Sequence, residues 1–581
     1  MTYILTHIHI KKRKIIVMTL MIIMPLKNIL LLLSLNLIFA KIALSCDTFT
    51  NHWNQDFHYN GPLSDSTCCY VLDITSSHEP SSSESPWSEL MIYWGYGVVA
   101  LDLGLYMPDD ASSPVELQCG IFANLDTCNG YIRNHATPQL DLGFIYGNTA
   151  EQQDAVRVGE NSCMIKMTAT GQFPRTCNRT LFPSFTNNDF GYSNSRCTSD
   201  PRSSLTPQVL ALHTLLALEH NRRCSAHHSL FPGHQYFTIK RDMIALAQKI
   251  TMYEWLPAMV GGLDRIPPFI KKPRDATSGQ QQQPRTSFEF ELVLKQSWLS
   301  GVSGDVQHQS LNGMLSSEPL NADFYDGNAL QDSADGICGI LIGSKSTPMQ
   351  NIARSLSQPW YMYQYYYENT CHYSAAYNIP SYQQAVNLSL VMGHLLYPTV
   401  NTSELRQIHT LEDITDDPTI GDYLEILFGY DAANTTEKRA ALIDLWTGLL
   451  LEKHGPLDDD VLGPLARYIL ITQMVAWRDK DADYFENFDD LQKMQKNNLF
   501  NILNRHCDRY MQYHKKLTSG TPTFTMQTQP FDLLTENMQQ MHTVNNSVSQ
   551  TIDIVIIILV TFFCICFLYT FYDSSTITKI K

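Results

Sequence analysis

Two histidines and a glutamate on one predicted helix are the first residues of this 581-residue chain whose spacing could serve chemistry. His213 and His220 are seven positions apart, so they share one face of a helix, and Glu219 directly precedes His220. A zinc pair on a helix usually reads His-Glu-x-x-His, which this spacing does not match, and a metal needs converging ligands. We therefore interpret both histidines as structural.

Helical patterning positions these residues and dominates the chain. Pro207 begins the helix that carries them, since proline fits a first turn, and apolar residues recur after it at helical spacing. Further helices are predicted over 239–253 and 462–477, with loops over 76–88 and 277–287. Alternating strands are scarce and we find no internal repeat. The pattern predicts one mainly α domain with long irregular connections.

Hydrophobic content and net charge limit the kinds of partner that the chain can bind. The chain is 44% hydrophobic, enough for a substantial core. It carries 41 basic and 57 acidic residues, for a formal charge of −16. This balance argues against nucleic acid as a partner, because phosphates need basic patches.

Residues 1–45 have the organisation of a secretory signal segment. Basic residues at 11–14 precede an apolar run at 29–35, and small residues at 43–45 suit cleavage. Because the stretch before the apolar run is long, a methionine within 18–24 is an alternative start. An uncleaved anchor is the second interpretation of this segment.

Another apolar segment lies near the C-terminus. Residues 554–572 include no charged side chain, and 19 residues suffice to cross a bilayer as a helix. We predict a transmembrane helix at 552–572, after a polar stalk at 535–551 and before a cytoplasmic tail at 573–581. A buried core helix is the alternative. The predicted topology is a single-pass type I protein of the plasma membrane or cell surface, with residues 46–534 as its extracellular domain.

Cysteine usage agrees with export. Twelve of the 14 cysteines lie between Cys46 and Cys507, which predicts disulfides formed in an oxidising compartment. Five Asn-x-Ser/Thr sequons are predicted glycan sites, namely Asn178, Asn387, Asn401, Asn434 and Asn545.

Four separate stretches resemble the animal haem peroxidase family. The sequences at 141–147 and 210–222 resemble its D-A-S-x-V-Y-G loop and its L-H-T-L-x-x-x-E-H-N-R helix. Those at 443–450 and 478–487 resemble I-D-L-W-V-G-G-L and R-D-G-D-R-F-Y-E-N. The resemblance, of the peroxidasin, myeloperoxidase and dual-oxidase type, implies a single large helical domain and a haem cofactor.

The segment that would carry the family's distal acid–base has no histidine. The family pattern W-G-Q-F-x-D-H-D-L resembles residues 94–103, where Val99, Ala100 and Leu101 fill the D-H-D positions. Shifting the alignment by one residue matches Asp102 to the last Asp and leaves Leu101 at the histidine position. Aliphatic side chains cannot take a proton from peroxide.

Arg202 is the candidate distal arginine. Residues 202–204 resemble the start of the family's R-S-S-E, whose arginine would stabilise charge as the O–O bond breaks. Leu205 replaces the family's ester-forming Glu, and Val99 or Ala100 replaces its ester-forming Asp. We expect no covalent attachment of haem. An ordinary surface or salt-bridging arginine is the alternative.

The proximal haem ligand also lacks a counterpart. The resemblance places the family's F-R-x-G-H near 295–299, where the sequence is Lys-Gln-Ser-Trp-Leu. Because no histidine occurs between 287 and 307, His308 is the nearest candidate for a displaced haem ligand. Its neighbours do not resemble the motif, and an exposed loop histidine is the alternative.

The resemblance also implies a calcium site, which is partly kept. Thr137 and Asp141 match two of the family's ligands, Gly143 replaces its Ser ligand, and Asp102 is the candidate for its distant Asp. Calcium prefers about six to eight oxygen ligands. The sequence therefore predicts a weakened calcium site.

The missing base, iron ligand and ester carboxylates fall in separate segments, so one alignment error cannot explain them. We interpret the chain as a pseudoperoxidase ectodomain that acts by binding a surface partner, such as a peroxide-producing oxidase or a matrix protein. The alternative is an active haem peroxidase with displaced ligands, which would use peroxide to oxidise phenols, halides or matrix tyrosines.

Overall fold

The computed structural model describes part of the chain, mostly between residues 88 and 508. The described residues are 88–104, 115–117, 120–122, 127–128, 131–177, 196–226, 231–270, 285–303, 305–309, 315–320, 330, 334–343, 379–415, 418–428, 440–453, 461–488 and 497–508. The predicted signal segment, stalk, transmembrane helix and tail lie outside them. Within these ranges, no helix is long and apolar enough to span a membrane.

The described part is mainly α-helical, as predicted. Its α-helices are α1 (Glu89–Trp94), α2 (Leu101–Leu103), α3 (Gly143–Tyr146), α4 (Ala150–Val156), α5 (Pro207–Ala226), α6 (Pro232–Ile250), α7 (Leu256–Val260), α8 (Phe288–Gly301), α9 (Ala334–Gly343), α10 (Tyr382–Leu396), α11 (Pro418–Phe428), α12 (Leu445–Leu451), α13 (Pro464–Lys480) and α14 (Leu499–His506). Two π-helical segments, Gly95–Ala100 and Thr251–Trp255, continue α1 and α6.

Strands are short and paired in antiparallel hairpins. They are β1 (Val115–Leu117) with β2 (Gly120–Phe122), β3 (Thr127–Cys128) with β4 (Tyr131–Ile132), and β5 (Asp305–Gln309) with β6 (Leu315–Pro319). Such hairpins cannot bury a core by themselves. The core is therefore built by the helices.

Helix α5 lies at the centre of this core. The sequence predicts its start at Pro207 correctly, but from 207 to 217 its side chains are buried on every side rather than on one apolar stripe. Leu210, Ala211, His213 and Glu219 each have 0% exposure. A helix buried all round must satisfy its polar side chains internally, and those partners define the site described below.

The two π-helical segments pack against each other. A side chain at Gly95 would place its Cβ 2.8 Å from Cζ2 of Trp255, so only glycine allows this approach. Trp255 Nε1 donates to the Met91 carbonyl at 3.0 Å, and Trp94 Nε1 donates to Thr251 Oγ1 at 3.1 Å. The predicted helix over 239–253 thus begins earlier, at 232, and changes pitch at Thr251.

Disulfides cross-link the helical domain, as the cysteine count predicts. Among the described residues they join Cys163 to Cys224, Cys177 to Cys197, and Cys338 to Cys507. The last closes a sequence separation of 169 residues. A cross-link over so long a loop removes much of the entropy of the unfolded chain.

Candidate functional site

The segment predicted to lack a distal base is a continuous buried helix over 89–103. Val99 and Ala100 have 0% exposure and Leu101 has 2%. Asp102 accepts hydrogen bonds from the backbone N–H groups of Leu142, at 2.7 Å, and Gly143, at 2.5 Å. Asp102 thereby contacts the loop that carries the predicted calcium ligands, which is the position that the shifted alignment gives to the family's last Asp.

Arg202 lies against this segment, on the 3-10 turn Pro201–Ser204. Its Nη2 is 2.7 Å from Asp200 Oδ2 in a buried ion pair. Nη1 donates to the Gly104 carbonyl at 2.8 Å and Nη2 to the Leu101 carbonyl at 2.9 Å. The structure thus brings the candidate arginine to the predicted distal segment. All three guanidinium nitrogens of Arg202 therefore already donate hydrogen bonds, to the Asp200 carboxylate or to the carbonyls of Leu101 and Gly104.

The predicted proximal stretch, on α8, packs directly on the distal π-helical segment. The rings of Tyr96 and Trp298 stack with centroids 4.7 Å apart and planes inclined by 25°. Both are buried, at 1% and 2% exposure. Tyr96 is about one helical turn before the position of the missing base.

This stack tests whether a haem fits. A haem ligated from 295–299, with peroxide on its other face beside 99–101, must lie between these two segments. A porphyrin between two rings needs a centroid separation of roughly 7 Å, twice the van der Waals spacing of aromatic planes. Tyr96 and Trp298 are closer than that, so the described residues at this point do not fit the cofactor.

His308 is placed in strand β5, opposite Ser316 in the hairpin. It therefore belongs to a strand rather than to the loop that the sequence suggests. Strand β5 packs against α9.

The two helical histidines are neutral structural links, in agreement with their interpretation from spacing. His213 Nε2 is 2.5 Å from the Gly97 carbonyl, and its Nδ1 is 2.7 Å from Ser203 Oγ. A neutral ring with its proton on Nε2 satisfies both contacts, because a carbonyl only accepts. Burial lowers the pKa of His213 to about 4. The ring thus ties the distal segment to the turn that carries Arg202.

His220 repeats this arrangement about two turns further along the same face of α5. Its Nε2 is 2.8 Å from the Cys163 carbonyl and its Nδ1 is 2.9 Å from the Tyr146 hydroxyl. Burial also lowers the pKa of His220 to about 4. Within the described ranges, no group of three or more His, Cys, Asp or Glu side chains could hold a metal.

Oxygen atoms converge where the calcium site is predicted. Thr137 Oγ1 and Asp141 Oδ1 are buried without a well-formed hydrogen bond in the described part of the chain. Asn148 Oδ1 shares this state, and a Cβ at Gly143 would lie 1.9 Å from it. The Asn148 oxygen therefore takes the place of the side chain that Gly143 lacks. Burial raises the pKa of Asp141, while Thr137 and the Gly143 backbone act to lower it, which places them beside its carboxylate. A cluster of buried hydroxyl, carboxylate and amide oxygens fits a cation that would accept their lone pairs.

The backbone of this loop is shaped for Asp102. Leu142 has φ 58°, a left-handed conformation that costs a non-glycine residue free energy. This conformation lets two successive N–H groups, of Leu142 and Gly143, donate to Asp102. These bonds lower the pKa of Asp102, but burial and the neighbouring Asp141 outweigh them and raise it.

Lys240 supplies positive charge beside the two carboxylates. Its Nζ lies 5.1 Å from the centroid of the Tyr146 ring. Burial lowers the pKa of Lys240, while Asp141 and Asp102 act to raise it. Sequence reasoning missed Lys240 and Asn148. A calcium ion held here by Thr137, Asp141, Asn148 and Asp102 would meet a partly neutralised site.

Two predicted glycan sites fall on described residues. Asn387 is exposed on α10, and Asn401 is exposed in a turn where its Oδ1 accepts from Ser403 N at 2.9 Å. The sequons at Asn178, Asn434 and Asn545 lie outside the described residues.

Solved structures similar to this chain share its helical architecture. Peroxidase A from Dictyostelium discoideum superposes with a TM-score of 0.63 at 18% identity, covering 80% of this chain and 94% of that one. Fatty acid alpha-dioxygenase from Oryza sativa superposes with a TM-score of 0.58 at 14% identity, covering 81% and 82%. At these identities the likeness establishes the fold alone.

Curated relatives match the chain in sequence. Peroxidase from Drosophila melanogaster is 31% identical over 130 residues, 22% of this chain and 19% of that protein. Dual oxidase 2 from Sus scrofa is 24% identical over 388 residues, 61% of this chain and 23% of that protein. The chain thus spans about a fifth of the length of these relatives. The family model described as animal haem peroxidase matches residues 121–518, more than half of the sequence, and the chain therefore belongs to the animal haem peroxidase family.

Proposed function

We propose that this chain is a pseudoperoxidase ectodomain, which acts at the cell surface by binding a protein partner rather than by turning over peroxide. The observation that carries the proposal is the direct stack of Tyr96 on Trp298, in the space between the distal and proximal segments. The aliphatic Val99, Ala100 and Leu101 support it, because they offer no group that could accept a proton.

Arg202 supports the same proposal. A distal arginine must be free to donate to a reacting oxygen. Here the guanidinium is paired with Asp200 and donates to two backbone carbonyls. Redirecting it would leave a buried carboxylate without its partner, at a cost of several kcal/mol. Its role in this proposal is to hold the distal segment in place.

An active peroxidase with displaced ligands is the second candidate, and membership of the family favours it. That candidate assigns His308 to the iron and requires the Tyr96–Trp298 stack to open. A haem-loaded full-length protein, assayed with peroxide and guaiacol, separates the two candidates. We expect turnover no faster than that of free haemin, unchanged in His308→Ala. Faster turnover that is lost in His308→Ala overturns the proposal.

The surface location is part of the proposal, and rests on the apolar segments at 29–35 and 554–572. Deleting 554–572 should release the protein from carbonate-washed membranes into the medium. If the deleted form stays with membranes, the N-terminal segment is an uncleaved anchor. Partners are sought by capturing the full-length protein from intact cells. We expect a peroxide-producing oxidase, and recovery of a matrix protein instead selects the other partner class.

A further inference from the structure

A cavity of about 680 Å³ lies apart from the peroxidase-like site. It is lined by the segment after α7, by the loop over 399–405 and by the first turns of α13. Its walls combine polar side chains with apolar ones, the latter including Ile266, Leu405 and Ile471. Pockets of about 300–1,000 Å³ with apolar walls and a few polar groups are typical of small-molecule sites.

Two arginines and one glutamate form ion pairs at this cavity. Arg467 is buried, at 3% exposure, and its Nη2 lies 2.8 Å from Glu404 Oε2. Arg265 is 20% exposed, and its Nη2 lies 3.5 Å from Glu404 Oε1. The Glu404 carboxylate thus stands between two guanidinium groups at the cavity.

Glu404 holds this position weakly. Its side chain is 46% exposed on a surface loop, so water competes with its ion pairs. Arg467 is buried and needs an anion beside it at all times. An anion that also buries apolar surface against Ile266 and Ile471 would gain free energy that the Glu404 side chain does not.

We propose that this cavity binds a small organic carboxylate with an apolar body, whose carboxylate displaces Glu404 from Arg467 and Arg265. Asp264 also lines the cavity, so its four charged side chains sum to zero. This balance suits the exchange of one carboxylate for another. It disfavours a dianion such as phosphate. The site shares no described lining residue with the distal or proximal segments, so it does not depend on whether the chain binds haem.

The test is a fluorescence titration of the full-length protein with 2-naphthoate, and with the uncharged 2-naphthamide as the matched probe. N-linked glycans are first removed, because Asn401 lines the cavity. Removing the competing carboxylate with Glu404→Gln should raise naphthoate affinity about tenfold, the value of one charge-assisted hydrogen bond. Arg265→Gln, which alters the less buried arginine, should lower it.

The control is Glu412→Gln, an exposed glutamate that does not line the cavity and should leave affinity unchanged. We expect naphthoate to bind more tightly to Glu404→Gln and more weakly to Arg265→Gln than to the wild type. In both the wild type and Glu404→Gln, naphthoate should bind more tightly than naphthamide. Equal affinity for the two probes, an unchanged affinity in Glu404→Gln, or no naphthoate binding to that variant overturns the proposal.

Discussion

Tyr96 and Trp298 stack with ring centroids 4.7 Å apart, which joins the distal π-helical segment to helix α8 without a gap between them. These are the two segments that, in the family, would face opposite sides of a haem. In the proposed pseudoperoxidase, the absence of histidine from both segments and their closed packing belong together. If iron is not ligated there, aromatic side chains can fill the space and stabilise the core.

Trp298→Ala should destabilise the protein by roughly 3–5 kcal/mol, the cost of removing a buried aromatic side chain from a packed core. Urea unfolding followed by circular dichroism measures this loss. Phe237→Ala is the control, because Phe237 is 55% exposed and should cost less than about 1 kcal/mol. A similarly small cost at Trp298 would mean that its ring lines an open cavity.

Arg202→Ala should cost about 3–5 kcal/mol of unfolding free energy, since it leaves the buried Asp200 carboxylate unpaired. Arg222→Ala serves as control. Arg222 is 43% exposed and shares Glu219 with Arg223 and Arg505, so its loss should cost less than about 1 kcal/mol. A stable Arg202→Ala protein with altered peroxide turnover would instead assign Arg202 a catalytic role.

Calcium should raise the thermal midpoint of the wild-type protein over that in EDTA. At a hundred times its dissociation constant a ligand adds about 2.7 kcal/mol. Asp141→Asn and Thr137→Ala should remove the calcium effect, and Lys240→Met should enlarge it, because the ion then faces both carboxylates without a competing cation. The exposed Asp154→Asn is the control. An identical calcium response in Asp141→Asn and the wild type would place any bound calcium elsewhere.

The buried histidines should make the protein less stable in acid. The folded-state pKa of His220 is lowered from 6.5 to about 4, so its contribution is present above pH 6.5 and is lost as pH falls towards 4. The stability difference between wild type and His220→Gln should shrink by roughly 3 kcal/mol over that range.

The free energies of unfolding of variant and wild type are compared at the same pH. Contributions from other titrating groups then cancel, including that of Glu452, whose pKa burial raises to about 7. Val391→Ala is the control, because Val391 is 74% exposed and does not titrate, and it should give a difference that does not vary with pH. A constant difference for His220→Gln as well would show that His220 is not held neutral.

The sequence predicts the helical architecture because its signals are local. Proline at position 207 and apolar residues at helical spacing are enough to place α5. The resemblance to the family, rather than these local signals, implies that Thr137 and Asp141 share one site, with Asp102 as a candidate third ligand. It does not predict that the first three turns of α5 are buried on every side, because burial depends on neighbours that are distant in sequence.

Asn148 and Lys240 could not be found from spacing. The Asn148 side-chain oxygen occupies the space that a side chain at Gly143 would fill. This relationship is evident only once the loop has its three-dimensional shape. Lys240 is about a hundred residues from Asp141 along the chain, and no motif links them. The Tyr96–Trp298 stack is likewise a contact between distant helices. The displaced-ligand candidate His308 was predicted from proximity in sequence, and the structure places it in a strand.

The most direct measurement of the central claim is the visible absorption spectrum of the full-length protein, produced in cells supplied with haem. The closed packing of Tyr96 on Trp298 predicts no stoichiometric Soret band, complete extraction of any haem by acid acetone, and peroxide turnover equal to that of free haemin. A stoichiometric Soret band with peroxide-dependent oxidation of guaiacol, abolished by His308→Ala, would contradict the account.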